Sequence, residues 1–158
     1  MTPQWPFGEA YVEKLIKDGE LDSVAPDRSL ALKYIEQAEQ HLKGSEAAHE
    51  VDPTGSFNLA YDAARKAMTA LLLTQGLRPK GDGGHRVVQE AVLHQVGEAG
   101  QEVFGQFRWM RQLRNDSQYP AVGKPVAGPD EATEARTAAQ DIIEKASQLV
   151  RVLPPFQD

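Results

Sequence analysis

The sequence predicts an all-α fold, an antiparallel bundle of five to six helices. Three observations lead there. Apolar residues recur at spacings of three and four along most of the 158 residues. Period-2 alternation of Val, Ile and Thr is nearly absent, so strands are not expected. Gly and Pro cluster between the periodic stretches, where connections belong.

The first helix is expected over about 8–18, with Tyr11, Leu15 and Ile16 on its apolar side and Gly19 as a stop. After a loop through Pro26, Asp27 is placed to cap a second helix. That helix carries Leu30, Tyr34, Ala38 and Leu42 on one stripe and extends to about Glu50. Pro53 opens the third at a favoured first-turn position. Its stripe of Phe57, Ala60, Tyr61, Ala64, Ala67, Met68, Leu71 and Leu72 is wide enough for a central helix, and Gly76 suits its C-terminal cap. Residues 78–84, Arg-Pro-Lys-Gly-Asp-Gly-Gly, are expected to form a mobile loop. The fourth helix starts near His85 and carries Val87, Val88, Ala91, Val92 and Val96. The fifth covers about 101–115 and ends before Pro120. A loop from Pro120 to Pro129 leads to a last helix with Ala135, Ala138, Ala139, Ile142, Ile143, Ala146, Leu149 and Val150 on its buried side. The alanines allow close helix approach and leave room for helices of a second subunit. The expected organisation is an N-terminal extension with a short helix over 1–26, a bundle over 27–153 and a tail over 154–158.

Bulk properties bound the function. The chain has no cysteine, which removes disulfides, thiol nucleophiles and thiolate metal sites. The formal charge of -6 means the surface as a whole does not attract nucleic acid, so such a role needs a local basic patch. The longest apolar run, Ala70 to Leu73, is far short of a membrane span, and the first eight residues lack the features of a signal peptide. A soluble cytoplasmic protein with no membrane association is expected. No cofactor motif is present. Residues 81–84, Gly-Asp-Gly-Gly, lack the lysine and Ser/Thr of a phosphate-binding loop and follow no strand. No two of His41, His49, His85 and His94 have the i, i+4 spacing of a metal site, and none is expected.

One helix departs from plain packing. On a continuous helix Val103, Phe107, Met110 and Arg114 fall within roughly 60° of one another. A guanidinium on an apolar stripe must find an anion, a carbonyl cluster or a wet cleft, because it cannot lose its proton. Arg108, Arg111 and Arg114 fan over about 120°, from the polar edge into that stripe. They read either as a strip for an anionic ligand, most naturally a phosphate, or as a solvated face with Arg114 paired to a carboxylate such as Asp62. Asn115, Asp116 and Tyr119 follow at once. A strict helix puts Tyr119 about 140° from Arg114, so the two share a site only if the helix unwinds before Pro120 or two subunits build the site. His85, at a helix start, reads as an exposed residue near a cap or as an acid/base group near a phosphate.

Residues 61–73 of the third helix, the following Gly76-Leu-Arg-Pro, and Gly84-His85 before the fourth resemble a HEPN domain. The Arg114-Asn115…Tyr119 segment before a final helix completes the likeness, which covers roughly residues 27–152. It looks closer to the stand-alone actinobacterial-type members, related to toxin and defence ribonucleases, than to the classical toxins. The resemblance implies a homodimer in which two R-x4-6-H motifs line one cleft and cut RNA without metal, by attack of the ribose 2′-hydroxyl on the adjacent phosphate. Carried over, Arg114 matches the motif arginine and Asn115 its polar neighbour, while Tyr119 stands at the histidine position. A tyrosine with an unperturbed pKa of about 10 cannot shuttle protons near neutral pH as histidine does. Asp116 is a base only with a raised pKa. Two readings follow. In the first, a dimer cleft around Arg114, Asn115 and Tyr119 binds RNA, a nucleotide or a partner protein. In the second, the chain is a metal-independent endoribonuclease toxin of a toxin–antitoxin or phage-defence system, with an antitoxin as partner, Arg114 stabilising the phosphate and Asp116 or Tyr119 moving the proton.

Overall fold

The computed structural model describes residues 7–80, 84–119, 121–123 and 125–156. The first six residues, residues 81–83, Pro120, Lys124 and the last two residues lie outside them, and with them most of the mobile loop expected after Lys80 and the proline stop expected at Pro120.

The helical expectation holds, and the caps explain where helices begin and end. Helix α1 (Glu9–Lys17) buries Val12 and Leu15 and closes before Gly19. Helix α2 (Arg28–Ala48) is capped by Asp27, whose carboxylate accepts from the Leu30 amide at 2.8 Å. Helix α3 (Pro53–Gln75) has Asp52 as cap, accepting from the Gly55 amide at 2.9 Å, and Pro53 in its first turn. It ends at Gly76, which takes the left-handed conformation at φ 80°. From Ala67 to Gln75 every residue of α3 is buried, as befits a helix covered on all sides. It packs against α2 and against α7 (Pro129–Leu149). Arg28 holds the end of α7 by donating to the carbonyls of Val150 at 2.8 Å and Leu153 at 3.0 Å.

Two expectations about local structure are corrected. Residues read as loop form a short antiparallel pair, β1 (Leu21–Ser23) with β2 (Leu77–Pro79), in the register Leu21↔Pro79 to Ser23↔Leu77. Strands of three residues are too short for an alternating pattern to register. Pro79 is tolerated because it lies at the end of an edge strand. The helix expected over about 101–115 is two helices, α5 (Glu98–Phe104) and α6 (Phe107–Gln118). Between them the Arg108 amide reaches the Gly105 carbonyl at 3.1 Å, an i to i+3 turn that breaks the helical register. Val103 therefore lies on a different helix from Arg114. The stripe on α6 consists of Phe107, Met110 and Arg114.

The alanines do their packing inside the chain. Ala60, Ala63, Ala64 and Ala67 of α3 and Ala132, Ala135, Ala138, Ala139 and Ala146 of α7 are fully covered without a second subunit. The surface they were expected to offer to one is already occupied. The N-terminal segment joins the same core through Val12, Leu15 and Leu21. Tyr11 of α1 stacks on His94 and donates to Glu90 of α4 (Gly84–Leu93). Among the described residues no helix is long and apolar enough to cross a membrane.

Candidate functional site

Three helices meet around one tyrosine. Tyr61, in the middle of α3, is 1 % exposed. One neighbour of its ring is Phe107 of α6, with centroids 5.0 Å apart and planes 17° from parallel. Another is His85, in the first turn of α4, at 5.6 Å and 23°. The Arg114 guanidinium carbon sits 5.5 Å from the Tyr61 centroid, a cation over the ring. The α6 stripe thus has its physical explanation. Phe107 and Met110 enter the core, and one turn later Arg114 remains half-buried against an aromatic face.

The hydroxyl of Tyr61 lies 2.8 Å from Nδ1 of His85. Among the described residues the phenol has no other partner, and a buried O–H without an acceptor is costly. Tyr61 is therefore the donor and His85 Nδ1 the acceptor, which places the imidazole proton on Nε2. Burial pushes the tyrosine pKa up to about 12, with Arg114, Arg65 and Arg111 pulling the other way, so the hydroxyl keeps its proton. Burial, then Arg65 and Arg114, lower the His85 pKa to about 4, while Asp62 pulls it up and Arg111 down. At neutral pH this is an uncharged imidazole with an N–H to offer.

A polar face of α3 supplies the rest. Asn58, Tyr61, Asp62 and Arg65 fall within about 100° on the helix. Arg65 Nε stands 3.6 Å from Asp62 Oδ1, an ion pair too long for a hydrogen bond. The buried Arg65 Nε and Asn58 Oδ1 have no hydrogen-bond partner among the described residues.

The residues singled out from sequence divide by position. Arg114, Arg111, Asp62 and His85 come together around Tyr61. Arg111 donates from Nε to Gln89 of α4 at 3.0 Å. Arg108 turns outward, exposed, towards Gln101 at 3.3 Å. Asp62 pairs with Arg65; no carboxylate among the described residues is within ion-pair distance of Arg114. Asp116 accepts from Gln112 at 3.1 Å on the outer side of α6. Asn115 is half-buried, and its carbonyl receives the Tyr119 amide at 3.0 Å. Helix α6 stays helical through Gln118, so unwinding does not bring Tyr119 round to Arg114. The Tyr119 side chain is 72 % exposed. The tyrosine that meets Arg114 is Tyr61, which in sequence reads only as core. A signal was available: Asn58, Tyr61, Asp62 and Arg65 keep i, i+3, i+4 and i+7 spacing on a helix otherwise filled with alanine and leucine.

A helical bundle with one short strand pair, and a half-buried arginine cluster beside its central helix, places the protein in the all-α class. The family model for the HEPN domain matches residues 31–152, and the chain belongs to that family. No curated protein and no solved structure shows significant similarity to the chain.

Proposed function

We propose that this HEPN module binds a phosphate-bearing ligand, RNA or nucleotide, at the Arg65, Arg111 and Arg114 cluster. The observation that carries the reading is Arg114: a half-buried guanidinium without a carboxylate partner among the described residues, held over Tyr61 beside a neutral histidine. A guanidinium fork matches phosphate oxygens, and partial burial strengthens the attraction relative to water. The module works as a homodimer whose cleft joins the site around Arg114 and Asn115 to Tyr119, with Arg108 and Asp116 on its rim. Exposure of Tyr119, Val122 and Val126 just after the arginine supports pairing there. A cytoplasmic protein partner such as an antitoxin fits the same face.

The ribonuclease reading gains from one specific observation. The segment after Arg114 lacks a histidine, yet His85 meets the same tyrosine, with Nδ1 2.8 Å from its hydroxyl. Its pKa, depressed to about 4, argues for a hydrogen-bond donor over a general acid at neutral pH.

The test pairs binding with activity. A nucleotide-induced rise in melting temperature that shrinks with added salt, and that Arg114→Ala abolishes in a folded variant, supports the binding site. Growth arrest on expression, relieved by Arg114→Ala, together with metal-independent cleavage of RNA in EDTA, supports the nuclease. Neither response from the wild-type protein would sink both.

A further inference from the structure

The charges and donors around Tyr61 say more than that a phosphate is bound. Resting on the phosphate-site reading above, we infer that the cluster takes the dianion of a terminal phosphate, a phosphate monoester, in preference to the internal phosphodiester of a nucleic-acid strand.

Charge is the first argument. The charged groups that weigh most on both His85 and Tyr61 are Arg65 and Asp62 from α3 and Arg111 and Arg114 from α6. Three guanidinium charges against one carboxylate leave two positive charges on a half-buried surface. Asp62 offsets Arg65 only in part, since it stands at 3.6 Å and 44 % of its side chain is exposed. The chain as a whole carries -6, so this local excess runs against the global balance. A phosphate monoester near neutral pH brings about -1.5 to -2 charges, which matches it. A diester brings one and leaves an uncompensated guanidinium.

Donor count is the second. A terminal phosphate presents three strong acceptor oxygens beyond its ester link, and a diester two. Three helices each carry a donor without a hydrogen-bond partner among the described residues. These are Arg65 Nε on α3, His85 Nε2–H on α4 and the Arg114 guanidinium on α6. The hydrogen bond from Tyr61 fixes the tautomer that makes His85 a donor. A neutral donor also contacts an oxygen without adding a fourth positive charge to the cluster.

The experiment compares ligands that differ only at the end. Titrate the full chain by calorimetry at pH 7.5 with a short oligoribonucleotide carrying a 5′-phosphate, the same oligonucleotide with a 5′-hydroxyl, AMP and adenosine. Loss of the terminal phosphate should weaken binding at least tenfold in both pairs. Arg65→Gln and His85→Gln, checked for folding by circular dichroism, should narrow that gap. AMP binding as well as the phosphorylated oligonucleotide assigns the phosphate to free nucleotides; a much tighter oligonucleotide assigns it to RNA ends. Equal affinity for the phosphorylated and hydroxyl-ended strands overturns the inference and leaves the phosphate site standing as a diester site. No binding of any of the four overturns the phosphate-site reading, and this inference falls with it.

Discussion

The Tyr61 hydroxyl donates to His85 Nδ1 across 2.8 Å, and this contact joins the central helix to the start of α4. Burial of the imidazole, with Arg65 and Arg114 nearby, also makes the fold sensitive to acid. The His85 pKa is lowered to about 4, below its ordinary value of 6.5, so the folded state binds fewer protons than the unfolded state between those pH values. Stability therefore rises with pH through this window. The contribution is complete above about pH 6.5 and is lost as pH falls towards 4. Thermal melts at pH 7 and pH 4.5 check this: the wild-type melting temperature should drop more on acidification than that of His85→Gln. Equal drops would mean that His85 carries no such linkage.

Removing the hydroxyl alone separates tautomer control from packing. Tyr61→Phe keeps the ring, its stack on Phe107 and the face that Arg114 covers, and deletes the donor to Nδ1. The loss should be roughly 1 kcal/mol in stability, the size of one hydrogen bond. Nitrogen chemical shifts of His85 should change from a single Nε2–H tautomer to a mixture. A variant that keeps the Nε2–H signature would show that another group sets the proton.

Helix caps were readable from sequence because they are local chemistry. Asp27, Pro53 and Gly76 each mark a boundary through their own backbone preferences, and each is found in that role. The β1–β2 pair was not readable, because its partners are 56 residues apart in the chain, as Asp22 and Arg78 are. The turn at Gly105 is not legible in the sequence, since a lone glycine lowers helix propensity without stating where the chain turns. At the site, Arg114 stood out as a charge on an apolar stripe. Tyr61 did not, because its ring is core and only its hydroxyl has other business. His49 shows the same limit. It reads as a lone surface histidine, yet its Nδ1 lies 3.0 Å from Arg136 Nη1, which also donates to Ser56 Oγ at 2.8 Å. No local pattern announces a partner 87 positions away.

Gly76 tests the strand pair and the end of α3 together. Its φ is 80°, and a Cβ there would lie 2.6 Å from the Val24 carbonyl oxygen. Its own carbonyl accepts from the Val24 amide at 2.8 Å, so the two backbones cannot separate without losing that bond. Gly76→Ala should cost at least the roughly 1–2 kcal/mol of the left-handed conformation. Urea unfolding measures it. A change within 0.5 kcal/mol would mean that the turn relaxes freely.

The contact between α3 and α7 is close because small side chains line it, and no subunit contact is needed to cover them. Ala139 is fully buried on α7, the helix that packs along α3. Its neighbours on that face, Ala135, Ala138, Ile142 and Ile143, are buried as well, so a larger side chain has no route to solvent. Ala139→Leu should force the helices apart and destabilise the fold by about 1–3 kcal/mol. Ala47, on the exposed side of α2, is the control, and Ala47→Leu should change stability by less than about 0.5 kcal/mol. Urea denaturation of both variants over a range of protein concentrations distinguishes packing within the chain from packing between chains. A loss that is independent of concentration places the tight seam inside the protomer. A loss that grows on dilution would instead make Ala139 part of a subunit interface.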